Sequence, residues 1–193
     1  MIYSISGKLA AKGDHFAVVE AAGLGLKIFT NHRNLEKLPP IGSEVKFFTY
    51  LYLREDGLEL YGFATSEELN FFELLNSVAG VGPKSALSVL EIAELKNLAA
   101  AIKEERPDLL TRASGIGRKT AGRIILELKN KVQADKTEAV IKKMESDSDL
   151  VDTLVGLGYR KEQAKAALAK VDEKVIDLEE RLKAALRILG GKV

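Results

Sequence analysis

Hydrophobic and polar residues alternate along most of the chain up to residue 63, which is the period-two pattern of half-buried β-strands. Glycine, proline and aspartate interrupt the alternation, as turns between strands require. The interruptions lie at residues 12–14, 22–23, 39–42 and 56–57. The pattern predicts five strands, at residues 2–7, 16–20, 24–29, 45–53 and 58–63.

Five short strands in residues 1–63 are too few for a β-sandwich but enough for a small barrel. A barrel of the oligonucleotide/oligosaccharide-binding (OB) type suits this number of strands. An SH3-like barrel is the competing arrangement, and periodicity alone does not separate the two. We therefore predict an N-terminal OB-like β-barrel over residues 1–63.

The pattern changes to helical spacing after residue 63. Ser66 is predicted to be the N-cap of a helix, because two acidic residues follow it in the first turn. Apolar side chains then recur at helical spacing, at Leu69, Phe72, Leu75 and Val78. Glycine and proline divide the rest of this region into short helices, which predicts an all-α domain over residues 64–132.

The last third of the chain divides into a charged segment and a helical one. Residues 133–146 are charged and lack aromatic side chains, which indicates a linker, although the absence of proline and glycine would also allow an extension of the preceding helix. Residues 147–193 are predicted to form a three-helix domain, because apolar stripes recur at 150–155, 164–171 and 178–189. So small a bundle has a thin core, and we expect it to dock onto a partner. The whole chain is predicted to be a multidomain α+β protein.

The composition is that of a folded protein, with 46% hydrophobic and 30% charged residues. Lys and Arg number 29 against 28 Asp and Glu, so a nucleic-acid surface would have to come from local clustering of charge. The absence of cysteine excludes disulfides and thiolate metal sites. His15 and His32 have no neighbouring ligands at fixed spacing, so we expect neither a metal site nor a cofactor.

The sequence contains no apolar run that approaches the length of a membrane span. Lys8, Lys12 and Asp14 interrupt the N-terminal segment before a signal-like run develops. We therefore expect a cytoplasmic protein without a membrane partner.

An internal repeat is the most informative feature of the chain. Residues 79–86, AGVGPKSA, recur as residues 114–121, SGIGRKTA. In each copy one apolar helical stretch precedes a Gly-apolar-Gly hairpin and another follows it. Such glycines permit a tight turn at which backbone N–H groups can approach a phosphate, and the start of the next helix adds free N–H groups and a positive dipole end. The repeat predicts two helix-hairpin-helix motifs that bind the DNA backbone without reading bases.

The repeat and its surroundings supply the candidate contacts to DNA. These are Gly80, Gly82, Lys84, Gly115, Gly117, Arg118, Lys119 and Arg123. Val81 and Ile116, between the glycines, are expected to be buried between helices. Residues 112–131 carry six basic residues and one acidic residue, which supports an anionic ligand at the second copy. A single Gly-x-Gly could equally be a helix C-cap and turn, so the interpretation depends on two copies with lysine in register.

Two enzymatic alternatives agree poorly with these residues. A nucleotide-binding P-loop requires glycine directly before the lysine and a strand leading in, whereas Pro83 or Arg118 precedes the lysine here and a helix leads in. A base-excision glycosylase needs a catalytic aspartate soon after the hairpin, and none follows Lys119 before Asp135. The chain also has neither cysteine for an iron–sulfur site nor tryptophan for a base pocket. We therefore predict a protein with no catalytic residues.

The order of barrel, tandem hairpins and helical tail resembles the RuvA family, which recognises four-way Holliday junctions. The resemblance rests on residues 75–84, LNSVAGVGPK, on residues 115–121, GIGRKTA, and on the hairpin residues 53–56 and 60–63. It spans all three regions without a large insertion. It implies a non-catalytic homotetramer on a square-planar junction, and leaves open whether one tetramer or two bind it. It also implies a RuvB-like hexameric ATPase as the motor and a RuvC-like junction resolvase as partners.

The resemblance also implies roles for residues that are uninformative alone. Glu55 and Asp56 would otherwise be a solvated hairpin turn, whereas an acidic pair at this place in the RuvA family forms a pin at the junction centre. Leu157 and Tyr159 become candidates for the surface that recruits the motor. The alternative function is a general double-stranded-DNA-binding tether for another enzyme, and preference for junctions over duplex would distinguish the two.

Overall fold

The computed structural model describes residues 2–55, 57–132, 137–171 and 178–190, with only the backbone described for 137–146. The chain forms two compact units, Met1–Thr137 and Glu138–Val193. The first unit holds a closed barrel followed by helices, and the described part of the second holds helices. The predicted fold class, multidomain α+β, is therefore confirmed.

The barrel has five strands, which are β1 (Ser4–Lys12), β2 (Phe16–Ala21), β3 (Leu24–Phe29), β4 (Glu44–Arg54) and β5 (Gly57–Phe63). They close in the order β1-β2-β3-β5-β4, with β3 and β5 parallel and the other neighbours antiparallel. Alternate residues of each strand point inward and form an apolar core. A closed five-stranded barrel with this crossed order is the OB arrangement, so the OB-like prediction is confirmed.

The first strand is longer than the predicted range of 2–7. It pairs with β4 along its first half and with β2 along its second half, and a shift of register between Leu9 and Ala11 bends it. A Cβ at Gly7 would lie 2.2 Å from the carbonyl oxygen of Glu20, so only glycine allows β2 to approach this closely. The bend lets one strand close the barrel on both sides.

The helices of the first unit are α1 (His32–Lys37), α2 (Ser66–Asn76), α3 (Pro83–Ile92), α4 (Leu95–Lys103), α5 (Pro107–Leu110) and α6 (Arg118–Leu128). The prediction of Ser66 as the N-cap of α2 is wrong by one residue. Thr65 has the extended backbone of an N-cap, and its hydroxyl accepts the N–H of Glu68 at 3.2 Å. Both residues carry a hydroxyl, so only the backbone conformation distinguishes them.

Aromatic side chains and one arginine join the barrel to the helices of the first unit. Phe72 of α2 packs against Tyr61 of β5 and Tyr50 of β4, with ring centroids 5.4 and 5.3 Å apart. Arg33 of α1 donates a hydrogen bond of 3.0 Å to the carbonyl oxygen of Glu91 in α3. The glycine hairpins are thereby held in a defined position beside the barrel.

The second unit contains α7 (Thr137–Gly156), α8 (Lys161–Ala169) and α9 (Leu178–Leu189), in the region predicted to be helical. Its buried core consists of Leu150, Val151, Leu154, Ala164, Ala167, Leu168, Val171 and Ala185. Arg181 is also buried, and its guanidinium lies 2.6 Å from the carboxylate of Asp147. This ion pair ties α9 to α7 where the apolar core is thin.

The segment interpreted as a linker, residues 133–146, is helical where the structure describes it. Residues 133–136 lie outside the described residues, and residues 137–146 form the first half of α7. They do not extend the preceding helix, because α6 ends at Leu128. The segment contains no glycine or proline that would oppose a helix, which explains why its backbone can be helical.

Candidate nucleic-acid interface

The two glycine hairpins share one backbone geometry. In the first, the N–H of Val81 donates to the carbonyl oxygen of Val78 at 3.0 Å. In the second, the N–H of Ile116 donates to the carbonyl oxygen of Ala113 at 3.2 Å. Within these turns Gly80 has a φ of +91° and Gly115 a φ of +79°, a conformation that other residues resist. The first glycine of each copy is therefore required by the turn.

The apolar residue between the glycines anchors each hairpin. Val81 is 4% exposed and Ile116 is 5% exposed, so their predicted burial is confirmed. Because these side chains point into the helical core, the backbone on either side of them lies at the surface, where the glycines are exposed. The hairpins thus present main chain rather than side chain to the outside.

The second glycine of each copy begins a helix. Gly82 is the N-cap of α3 and Gly117 the N-cap of α6, and neither helix has a side-chain capping hydrogen bond. The first backbone bonds of these helices run from Ala86 to Gly82 at 2.8 Å and from Ala121 to Gly117 at 2.9 Å. The N–H groups before Ala86 and Ala121 therefore have no acceptor within their helix, and they carry its positive dipole end.

Neither conformation nor packing within the described chain requires glycine at 82 and 117. Their φ values, −91° and −85°, suit any residue. A Cβ at either position would meet nothing within 4 Å in the described residues beyond its immediate neighbours. The space beside these exposed glycines is open, and an anion could approach their backbone closely.

The two copies differ at the residue after the second glycine. Pro83 follows in the first copy and contributes no N–H, whereas Arg118 follows in the second and contributes both an N–H and a guanidinium. Arg118 and Lys119 are both exposed at the start of α6. The second hairpin therefore offers more donors and more positive charge to an anion.

Arg123 connects the two copies. Its Nη1 donates a hydrogen bond of 2.6 Å to the carbonyl oxygen of Ala79 in the first hairpin. In the opposite direction, Ser85 of α3 faces the second hairpin, since a Cβ at Gly115 would lie 3.0 Å from the Ser85 hydroxyl. The predicted contact residues of both hairpins are thus brought side by side. The structural role of Arg123 was not predicted, because no local pattern signals a contact across forty-four residues.

The β4–β5 hairpin carries Glu55, the first residue of the predicted acidic pair. Glu55 is exposed in the turn that joins β4 to β5, and Asp56 lies outside the described residues. The strands pair up to Arg54 and Gly57, so the turn has two residues. Behind it, Leu53 and Leu58 face each other across the strands, and both are exposed.

A carboxylate that sequence reasoning missed connects this acidic hairpin to the first glycine hairpin. Oε1 of Glu59 on β5 lies 3.6 Å from Nζ of Lys84 and 3.9 Å from the guanidinium of Arg54. Its Oε2 accepts a hydrogen bond of 2.7 Å from the hydroxyl of Tyr61. Burial and this hydrogen bond raise the pKa of Tyr61 above its ordinary range. Through Glu59 and Lys84, strand β5 of the acidic hairpin therefore adjoins the first glycine hairpin.

The two candidate residues of the second unit lie in different surroundings. Leu157 is 59% exposed in the turn after α7. Tyr159 packs against the apolar core of that unit. Of the two, Leu157 is the side chain that a partner could cover.

Other kinds of site find little support in the described part of the chain. No group of three or more histidine, aspartate or glutamate side chains is placed there to hold a metal ion. No helix among the described residues has the length and apolar character needed to cross a membrane.

Comparison with known protein families assigns all three regions of the chain. The family model of the RuvA N terminal domain matches residues 1–62, a SAM-like helix-hairpin-helix tandem matches residues 72–130, and the RuvA C-terminal domain matches residues 147–190. The tandem model covers both glycine hairpins.

Relatives match the chain from end to end. The Holliday junction branch migration complex subunit RuvA of Acetivibrio thermocellus is 42% identical over 200 residues, covering 98% of this chain and 99% of the relative. The subunit of the same name from Dehalococcoides mccartyi is 40% identical over 194 residues, covering 100% of both. That from Caldanaerobacter subterraneus is 42% identical over 191 residues, covering 98% and 100%. With this identity over the full length and the three matched domains in order, the chain belongs to the RuvA family.

Proposed function

We propose that this chain binds four-way Holliday junctions through the sugar-phosphate backbone and acts as the junction-binding subunit of a branch-migration complex. The observation that carries the proposal is the pair of adjoining glycine hairpins, each of which opens a helix whose first N–H groups are uncapped and uncovered. The names of the relatives, which describe subunits of a Holliday junction branch migration complex, support the same substrate.

Phosphate binding is assigned to the amides of the hairpins and to nearby cations. The proposed contacts are the amides at Gly80, Gly82, Gly115 and Gly117, with charge from Lys84, Arg118 and Lys119. Amides and cations recognise phosphates equally in every sequence, so the contacts position DNA without reading bases. Arg123, which is half-buried, contributes by holding the two hairpins together, and its charge adds to the positive surface.

The acidic hairpin supplies discrimination rather than affinity. Glu55, together with Asp56, would place negative charge where DNA strands cross, and carboxylates repel phosphates. One such pair about 4 Å apart in water is worth only about 1 kcal/mol. Several acids converging from the subunits of a homotetramer would act together, and a two-fold or four-fold assembly would bring them to one centre. We propose that this pin disfavours continuous duplex.

The second unit is proposed to recruit the motor. The chain itself would be non-catalytic, with a RuvB-like hexameric ATPase supplying ATP hydrolysis and a RuvC-like resolvase acting on the same junction. Leu157 is the proposed centre of the motor contact, because it is a large exposed apolar side chain. We further propose the functional division 1–63, 64–132 and 147–193, with 133–146 connecting the last two.

The test is competition between a four-way junction and a linear duplex of equal length for the full-length protein. We expect the junction to be strongly preferred, and both affinities to fall when Gly82→Val and Gly117→Val place side chains in front of the amides. Gly156→Ala, in the second unit, is the control and should bind as the wild type does. Equal affinity for junction and duplex would contradict the proposal and favour a general duplex-binding tether.

A further inference from the structure

Glu59 is a carboxylate at the edge of the first glycine hairpin that the proposed contacts to DNA do not use. Tyr61, which donates to it at 2.7 Å, is buried in the core between barrel and helices. Burial and the hydrogen bond to Glu59 raise the pKa of the Tyr61 hydroxyl, which keeps the donated proton on the tyrosine oxygen. The side chain of Glu59 is only 20% exposed. Its carboxylate is therefore held in one place.

Lys84 is the freer partner of this ion pair. Its side chain is 77% exposed, and its Nζ lies 3.6 Å from Oε1 of Glu59. The backbone of Lys84 belongs to the first turn of α3, next to the open space in front of Gly82. An exposed lysine side chain has many rotamers, so it can turn from the carboxylate to a phosphate in that space. The carboxylate of Glu59 cannot move with the lysine, because the Tyr61 hydroxyl holds it in place.

We propose that Glu59 is a specificity-determining residue that competes with DNA phosphate for Lys84, an inference that rests on the proposed backbone binding by the first hairpin. Without DNA, Glu59 neutralises Lys84. A phosphate that binds at the first hairpin must take Lys84 from the carboxylate and then remains close to its negative charge. Glu59 thereby lowers the affinity of this hairpin for any phosphate that Lys84 contacts.

Discrimination follows from the position of Glu59 on the acidic hairpin. The turn of that hairpin carries Glu55, and β5 carries Glu59 toward Lys84. Carboxylates thus lie both in the turn and beside the first glycine hairpin. The cost of displacing Glu59 is the same at each first hairpin that a ligand engages, whatever other contacts the ligand has. At a given protein concentration this cost leaves a weakly bound linear duplex mostly free, whereas a junction held at both hairpins and by several subunits stays bound.

The test compares the full-length wild type with Glu59→Gln and Tyr61→Phe. Glutamine keeps the size of the side chain and can still accept from the tyrosine hydroxyl, but it removes the charge. Tyr61→Phe keeps the carboxylate and removes the hydroxyl that holds it. Glu94→Gln is the matched control, because Glu94 pairs with Lys96 at 3.2 Å away from the glycine hairpins. Fluorescence anisotropy with linear duplex and with a four-way junction is recorded over a range of salt concentrations.

We expect Glu59→Gln to bind linear duplex about fivefold more tightly at low salt, the effect of one charge pair about 4 Å apart in water. The plot of log affinity against log salt should become steeper by up to about 0.9, the value for one further neutralised phosphate. The junction should gain at least the same factor, but at a protein concentration that already saturates it only the occupancy of the duplex should rise. Tyr61→Phe should shift both quantities in the same direction by a smaller amount, and Glu94→Gln should shift neither.

Unchanged duplex affinity and salt slope in Glu59→Gln, with normal thermal unfolding, would overturn the role of Glu59. The salt slope distinguishes the proposed role of Glu59 from a purely structural one. A destabilised fold would lower the affinity for DNA without making the slope steeper. If the wild type showed no preference for junctions, the proposed function would fail. The duplex salt slope of Glu59→Gln would still decide whether this carboxylate competes for Lys84.

Discussion

The guanidinium of Arg123 donates a hydrogen bond of 2.6 Å to the backbone carbonyl oxygen of Ala79, so the second glycine hairpin is fastened to the main chain of the first. Ala79 directly precedes Gly80, whose left-handed backbone makes the first turn. The bond therefore ends within the hairpin itself rather than on a supporting helix. This side chain therefore helps to fix the separation of two proposed phosphate contacts.

Replacement of Arg123 can distinguish two roles of this residue, holding the two glycine hairpins together and contacting DNA directly. Arg123→Met should destabilise the first unit by about 1 kcal/mol, the net value of one hydrogen bond, and should weaken junction binding. Arg123→Lys keeps the charge but not the planar donor group, so we expect it to lose nearly as much affinity as Arg123→Met. Chemical denaturation and anisotropy titrations measure the two effects. Wild-type affinity in Arg123→Lys would indicate a charge contact to DNA instead of a brace.

Replacing the first glycine of a hairpin by alanine should mainly lower stability, whereas replacing the second should mainly lower DNA binding. Gly80→Ala forces a side chain into a left-handed backbone and should cost about 1–2 kcal/mol of unfolding free energy. Gly82→Ala has an ordinary φ and open space, so stability should change by less than about 1 kcal/mol while DNA binding falls. Thermal unfolding and junction titrations on the same samples check both expectations. Tight binding by Gly82→Ala would mean that no phosphate approaches this amide closely.

Neutralising the acidic turn should make duplex a better ligand. In Glu55→Gln with Asp56→Asn, the repulsion of phosphates is removed, and we expect duplex affinity to rise several-fold while the preference for junctions declines. Glu55 is exposed in the turn, so the stability of the barrel should not change. Competition between the two DNA forms, with circular dichroism as the control for folding, measures the result. Duplex affinity equal to that of the wild type would count against the pin.

Exposure distinguishes the two candidate residues for motor binding. Leu157→Ser should leave the second unit folded, because the leucine is 59% exposed, yet it should weaken recruitment of a RuvB-like ATPase at least several-fold. Tyr159→Ala should lower the unfolding temperature, since the ring packs on the core. Pull-down with the purified ATPase and calorimetry report the two effects. Intact recruitment by Leu157→Ser would place the contact elsewhere.

Sequence patterns predicted the parts of this fold that depend on local rules. Strand alternation revealed the barrel, and the Gly-apolar-Gly spacing revealed both hairpins and the burial of Val81 and Ile116. The N-cap at Thr65 was missed, because neighbouring hydroxyl residues compete and backbone geometry decides. The ion pair between Glu59 and Lys84 was missed because the two residues are distant in sequence. Contacts of this kind leave no periodic signal.

Because Pro83 and Arg118 differ in their donors, we expect the two hairpins to bind a DNA strand with unequal strength. During branch migration, a protein that contacts the DNA backbone must release the strand and bind it again as each base pair passes. Two hairpins that bound the strand equally strongly would release it in no preferred order, and both could dissociate at the same time. The first hairpin has fewer donors, and Glu59 lies beside its Lys84. We therefore expect the first hairpin to release the strand before the second does. If both hairpins bind the strand as proposed, inequality between the repeats would give the movement of DNA across this surface an order of steps.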